Sequence, residues 1–176
     1  MARYALIYGL LSELVIAVVL VGGIALAPRG GYIHSMWFGY LVMLVALIFI
    51  FVGVKRYRDV ECGGVVRFWR ALAVGLAIAG VAALAYVAVW ELYLALTHYT
   101  FMDDYAASMI RKAEARGTSG AALAEIREEA ANMRALYARP LLRMGMTFTE
   151  IAPVGVLVAL FSAAVLSFSK VLPARR

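Results

Sequence analysis

Apolar positions in this chain gather into four long runs. The first is Ala5–Ala27, closed by Pro28. The second, Met36–Val54, opens on Trp37, Phe38 and Tyr40 and gives way to Lys55-Arg56-Tyr57-Arg58-Asp59. The third, Phe68–Leu96, begins between Arg67 and Arg70 and closes on Trp90, Glu91 and Tyr93. The fourth covers roughly Met144–Leu172, with Pro153 early in it and basic residues Lys170, Arg175 and Arg176 at its end. A helix needs about 20 apolar residues to cross the hydrocarbon of a bilayer, so each run predicts a spanning helix. Aromatic and basic residues at the run ends fit the two membrane–water interfaces. The segment Pro28–His34 (PRGGYIH) predicts a turn, and Lys55–Arg67 a short basic connection broken by Gly63-Gly64.

Between Thr97 and Arg143 the pattern changes. Met102, Tyr105, Met109 and Ala113 recur at helical spacing among charged residues, predicting a helix over Asp103–Arg116. Gly117 is a helix stop and Ser119 a helix start. Gly120–Ala138 then carries Leu123, Ile126, Ala130, Met133 and Tyr137 on one stripe before Pro140. These are two amphipathic helices outside the hydrocarbon, their stripes packed on each other. The predicted class is an all-α integral membrane protein: residues 1–176 as a single membrane domain, four transmembrane helices, and an extracytoplasmic helical hairpin between the third and fourth spans.

Composition agrees with this. The 176 residues are 65% hydrophobic, against about 45–50% apolar in an ordinary soluble domain, and the mean hydropathy is +0.86. A net charge of +6 raises the question of nucleic acid, but the basic residues sit beside apolar runs, where they set topology. Cys62 is the only cysteine; it makes no internal disulfide and belongs to no zinc spacing. His34 and His98 are isolated, and no catalytic, nucleotide or metal motif is present. The first run contains Glu13 and exceeds the ~7–15 residues of a signal-peptide core, so it is read as a retained span.

Orientation follows from the basic flanks. Arg3, the Lys55–Arg70 stretch and the tail carry most of the short-segment positive charge, whereas the first turn has only Arg29. The long segment offsets its basic residues with Asp103, Asp104, Glu114, Glu125, Glu128 and Glu129. Both termini and the Lys55–Arg67 connection are therefore expected in the cytoplasm and the hairpin outside.

FIFVGVKRYRD (Phe49–Asp59) with Gly63-Gly64, WELY (Trp90–Tyr93), FMDDYA from Phe101 and RPLLRMGMTFTEIAPVG (Arg139–Gly155) together resemble a bacterial membrane family, domain of unknown function 4199. The resemblance covers nearly the whole chain. It implies a four-span inner-membrane protein with a helical insertion before the last span, and it implies no activity. Its matching residues here are Tyr57, Arg58, Asp59, Gly63, Gly64, Trp90, Glu91, Glu150, Pro153 and Gly155.

Three carboxylates, Glu13, Glu91 and Glu150, fall in or at the edge of spans, and no Lys, Arg or His lies deep inside a span to pair with them. An acid at such a position is expensive and marks a candidate proton or polar site. Glu13 lies near mid-bilayer, about ten residues after Arg3 at ~1.5 Å per residue; the structural expectation for it is a hydrogen bond to a hydroxyl or a backbone carbonyl within the bundle. Glu91 and Glu150 fall at similar depth on antiparallel spans and are expected to meet, unless Arg143 reaches one of them. Glu91 should lie over Leu84 and Gly80, on a bundle-facing stripe with Ala73, Ala77 and Val87. Glu150 should lie over Val154, Leu157 and Phe161. Gly22, Gly23, Gly75 and Gly80 are expected to let helices approach closely. Tyr57-Arg58-Asp59 reads as a cytoplasmic topology anchor, with lipid-headgroup recognition as its alternative.

Two function classes remain. The first is a non-enzymatic protein that packs its helices with itself or with a membrane partner, in contact with membrane lipids and without cofactor or nucleic acid. The second is a proton-linked small-solute transporter using the spanning carboxylates. The two halves differ in length and show no inverted repeat, which disfavours transport.

Overall fold

The structure, a computed structural model, describes residues 1–26 and 36–168, with side-chain surroundings given outside 20–40. The expected turn Pro28–His34, the end of the fourth run and the basic tail Lys170, Arg175 and Arg176 lie outside the described residues. Those residues are all-α: α1 (Ala2–Leu26), α2 (Met36–Glu61), α3 (Phe68–Leu96), α4 (Phe101–Ala115), α5 (Gly120–Tyr137) and α6 (Pro140–Ser167). Among the described residues, three helices are long and apolar enough to cross a membrane: Ala2–Val19 within α1, then Phe68–Leu96 and Pro140–Ser167.

Two helix boundaries differ from expectation in an instructive way. α2 does not stop where its apolar run stops. It continues through Lys55–Asp59 to Glu61, because Lys and Arg are good helix formers and nothing before the glycines breaks the backbone ladder. Gly63 and Gly64 then adopt φ of +62° and +91°, a region open mainly to glycine, and the Gly64 amide turns back to the Arg58 carbonyl at 3.0 Å. At the other end of the chain, α6 begins at Pro140 rather than Met144. Proline suits a first helical position, having no amide hydrogen to leave unpaired. Arg143 is thereby inside the helix, in its first turn, within the same element as Glu150.

The residues form two compact units, Met1–Val87 with Phe148–Arg176, and Ala88–Thr147. In the first, α1 packs along α2, and one apolar core gathers Ala5 and Ile16 of α1, Leu47, Ile50 and Val54 of α2, Ile78 and Ala82 of α3, and Ala159 and Ala163 of α6. Small residues bring these helices close, as helix association in lipid requires. A Cβ built on Gly75 would sit 3.0 Å from the Ala159 Cβ, one on Gly155 3.1 Å from the Ala79 Cβ, and one on Gly9 2.7 Å from the Val81 Cβ. Cys62 is a free thiol packed against the core. Gly22 and Gly23 fall in a stretch described by its backbone alone.

The bundle-facing stripe of α3 is displaced from the expected one. Its buried positions are Ala71, Leu72, Val74, Ile78, Ala79, Ala82, Ala83 and Tyr86, whereas Ala73, Ala77 and Leu84 are exposed and a Cβ on Gly80 would meet nothing within 4 Å. The same holds for α6: Ile151, Gly155, Ala159, Ser162, Ala163 and Leu166 are buried, whereas Glu150, Leu157 and Phe161 are exposed. A helix that is apolar all round carries no pattern to say which face its neighbours take.

In the second unit, α4 and α5 pack together. Asp103 and Asp104 stand in the first turn of α4, where the helix dipole favours acids. Gly117 ends the helix at φ +81°. Leu123, Ile126, Ala130, Met133 and Tyr137 form the less exposed face of α5, as their spacing predicts. On α4, Ala113 is buried and Met102 and Met109 are half-buried, as their spacing predicts, while Ala106 is buried in place of Tyr105, which is 44% exposed.

Candidate functional site

Within Ala88–Thr147, charged and aromatic groups converge. α3 ends in a turn where His98 and Tyr99 take φ of 52° and 58°. Two consecutive non-glycine residues in the left-handed region cost about 1–3 kcal/mol each, and such strain concentrates at ligand clamps and functional sites. The turn is held by the Tyr99 amide on the Leu94 carbonyl, at 2.8 Å. The Thr97 hydroxyl donates to the Tyr93 carbonyl at 2.9 Å, satisfying an end carbonyl of the helix. The result sets the Tyr99 ring 5.0 Å from the guanidinium carbon of Arg143.

Arg143 stands in the first turn of α6 and is 5% exposed. Its Nε donates to Glu91 Oε1 at 2.8 Å and its Nη2 to Glu91 Oε2 at 2.7 Å. This two-point fork is the strongest geometry open to an arginine and a carboxylate. Nη1 donates to the Tyr137 carbonyl at 3.0 Å, and the Tyr137 ring lies 5.7 Å from the same guanidinium. Trp90 Nε1 donates to the Tyr137 hydroxyl at 2.6 Å, and Phe101 sets its ring edge-on to Trp90 at 5.0 Å. A cleft of about 510 Å³ opens beside this clamp, lined by Tyr99, Met102, Asp103, Arg134, Tyr137, Ala138, Pro140 and Arg143. At its rim Arg134 Nε meets Asp103 Oδ1 at 3.0 Å.

The three carboxylates are divided between the two units. Both oxygens of Glu91 are engaged by Arg143, in the Ala88–Thr147 unit. Glu150 belongs to the other unit, on the exposed face of α6 with Pro153. Glu13 is 4% exposed, and neither of its oxygens has a hydrogen-bond partner among the described residues. The expected hydrogen bond is therefore absent there. Its neighbour Ser12 directs its hydroxyl to the Ala46 carbonyl at 2.8 Å.

The Tyr57–Asp59 stretch does form a cluster, at the charged end of α2. Arg58 is fully buried and donates through Nε to Asp59 Oδ1 at 2.8 Å, and Lys55 Nζ reaches Asp59 Oδ2 at 2.6 Å. Burial alone would raise the Asp59 pKa. Hydrogen bonds from Lys55 and Arg58 and the attraction of their charges outweigh it and hold the carboxyl below its ordinary value. Tyr57 accepts from Arg70 Nε at 2.9 Å and meets the Tyr4 ring edge-on at 5.4 Å. Tyr4 in turn donates to Glu61 at 3.0 Å. Of the residues singled out in sequence, Trp90 and Glu91 thus join one cluster, Tyr57, Arg58 and Asp59 another, with Gly63 and Gly64 ending the helix that carries it.

The sequence reading missed Tyr99, Asp103, Arg134 and Tyr137 as residues sharing one cleft with Arg143. Tyr99 is placed by a backbone conformation that tyrosine rarely adopts. A signal was available for Arg143: Pro140 three residues earlier is a helix start, which puts Arg143 on the first turn of the last span. Among the described residues no group of His, Cys, Asp and Glu is arranged to hold a metal ion. No curated protein matches the chain, and no solved structure does. The family described as "Protein of unknown function (DUF4199)" matches residues 3–167, nearly the whole chain and every helix in it, so the chain belongs to that family, the one its motifs resemble.

Proposed function

We propose that this is a four-span protein of a bacterial inner membrane that acts without catalysis, by packing its helices against a second copy or another membrane protein. Four spans place both termini and the Lys55–Arg67 segment on one side, and the basic flanks make that side the cytoplasm. The α4–α5 pair is then extracytoplasmic. Reporters active only in the cytoplasm should work when fused near Gly63 and fail near Gly120; activity at Gly120 overturns the topology.

The observation that carries the association reading is the exposed face of α6. Glu150, Pro153, Leu157, Phe161 and Ala164 share it, and Leu157 and Phe161 are 65% and 63% exposed. The apolar members suit lipid or protein alike. A carboxylate on the outside of a spanning helix does not suit lipid, and such residues usually face a protein interior or a polar cavity. Covering that face with another helix gives Glu150 a partner. A photo-crosslinking side chain at 150, 157 or 161 should capture protein in intact membranes, whereas the same group at Ser162, on the buried face, should not. Lipid adducts alone at all three positions defeat this reading.

A second reading, proton-linked transport of a small solute, is favoured by Glu13. A buried carboxyl with no hydrogen-bond partner among the described residues is expensive to keep for packing alone. Protein-dependent proton uptake driven by a solute gradient in vesicles, lost in Glu13→Gln, would establish it. Stable stoichiometric association without such uptake would leave the first reading in place.

A further inference from the structure

The cleft in Ala88–Thr147 holds chemistry that the Glu91–Arg143 clamp does not use. An arginine has five N–H donors, and Arg143 engages three of them, two with Glu91 and one with the Tyr137 carbonyl. Arg134 donates one, through Nη2 to the Asp103 carbonyl at 3.3 Å, and its Nε forms an ion pair with Asp103 Oδ1 at 3.0 Å. Two guanidinium groups with unused donors therefore border one space of about 510 Å³. Arg143 is buried and held in orientation by its fork. Asp103 shares the rim with its side chain 71% exposed, and its Oδ2 accepts no hydrogen bond among the described residues. The Tyr99 ring, half exposed, stands on the same wall.

The charges sum to zero: Arg134 and Arg143 are balanced by Asp103 and Glu91. A simple anion gains little from such a cleft. A ligand with both signs, spaced by a few atoms, can meet an arginine with one end and an aspartate and an aromatic face with the other. The position points the same way. Pro140 and Arg143 belong to the first turn of a helix long and apolar enough to cross a membrane. Span ends with Trp and Tyr around them lie at headgroup depth. We infer that this cleft binds a zwitterionic phosphate ester, its phosphate on Arg134 and Arg143 and its ammonium on Asp103 and the Tyr99 ring, the chemistry of an ethanolamine phospholipid headgroup. The inference rests on the membrane reading and is independent of whether the α6 face binds a partner.

The full chain, purified in detergent, is titrated with phosphatidylethanolamine, phosphatidylglycerol and diacylglycerol, with bound lipid counted by native mass spectrometry. The ethanolamine lipid should bind about tenfold tighter than the glycerol phospholipid, which lacks the amine, and diacylglycerol more weakly still. Asp103→Asn should erase the preference for ethanolamine while keeping phosphate-dependent binding, and Arg134→Gln should weaken both phospholipids about tenfold. Both residues are exposed at the rim, so a thermal melt near that of the parent accompanies each. Glycerophosphoethanolamine in water is the second arm. Competition by it assigns the site to the headgroup alone, including a free soluble source; failure to compete assigns it to the membrane lipid. Equal binding of all three lipids, or an unchanged ethanolamine preference in Asp103→Asn, overturns the proposal.

Discussion

The two units of this protein are held together by different means. Met1–Val87 with Phe148–Arg176 is an apolar assembly whose helices meet over Gly9, Gly75, Gly155 and a set of alanines. Ala88–Thr147 is fastened by a forked ion pair, three indole or phenol contacts around it, and an amphipathic helix pair. On the membrane topology proposed above, the difference follows from the solvent each set of residues is built for. In hydrocarbon there is no hydrophobic drive between apolar helices, so close packing of small residues must hold them. Where helices emerge among headgroups and water, amphipathic stripes regain their drive, and a desolvated arginine fork supplies a directional contact. The contrast teaches that these two units should fail under different perturbations.

The largest expected effect is in the clamp. Arg143→Ala leaves Glu91, whose side chain is 16% exposed, as a nearly buried carboxylate without its partner. Breaking a buried pair from one side costs about 3–5 kcal/mol, so the melting temperature in detergent should fall sharply. Arg143→Ala with Glu91→Gln should regain a large part of that loss, because a neutral amide is cheaper to bury. Arg143→Lys should fall between, since an ammonium cannot reproduce the fork. A double variant no better than Arg143→Ala would show that the aromatic contacts, and not the ion pair, hold this unit.

The next effect tests the apolar unit and is smaller. Gly9→Ala drives a methyl to 2.7 Å from the Val81 Cβ, and Gly75→Ala to 3.0 Å from the Ala159 Cβ; overpacking of this kind costs about 1–3 kcal/mol. Gly80→Ala adds its methyl to open space and should be neutral or stabilising by several tenths of a kcal/mol, since alanine is the better helix former. Comparable melts for all three would mean that close approach does not hold these helices. The same series settles the face of α3 that the sequence misassigned.

Legibility in the sequence divides along the same line. Where the solvent changes along a helix, pattern reports structure: the α5 stripe from Leu123 to Tyr137 and the stop at Gly117 were readable because polar and apolar faces differ. Within α3 and α6 nearly every residue is apolar, so the choice between Gly75 and Gly80 depends on which neighbour arrives, and that is a tertiary fact. The motif residues Tyr57, Arg58 and Asp59 are legible because charge in or directly after a long apolar run stands out from the pattern. Their arrangement was not, because it needs Arg70 from one helix and Tyr4 from another. Glu91 stands out for the same reason, and its partner Arg143 is legible only as the alternative to contact with Glu150, because the apolar run alone places the start of α6 four residues late.

The smallest effect concerns a place where the apolar unit relies on charge. Asp59 is held below its ordinary pKa by Lys55 and Arg58 against the opposing pull of burial. A carboxyl whose folded pKa lies below its unfolded one adds stability above the unfolded value, near pH 4. That contribution is lost as pH falls through the folded value, because the unfolded chain takes up the proton first. Asp59 should therefore leave the melt unchanged between about pH 6 and 8 and contribute to a decline below about pH 4. Its side chain is 19% exposed and Lys55 is 33% exposed, so solvent screens the Lys55 half of the interaction; Arg58 is fully buried and should carry most of it. Asp59→Asn should cost about 1 kcal/mol at pH 7 and flatten the acid limb, parent and variant converging as pH falls through the lowered folded value. Arg58→Gln should cost more than Lys55→Gln, in the order of their burial. Were Lys55→Gln the worse of the two, Asp59 would be serving as the i,i+4 partner that extends α2 past its apolar run, and not as the acid that holds a buried arginine.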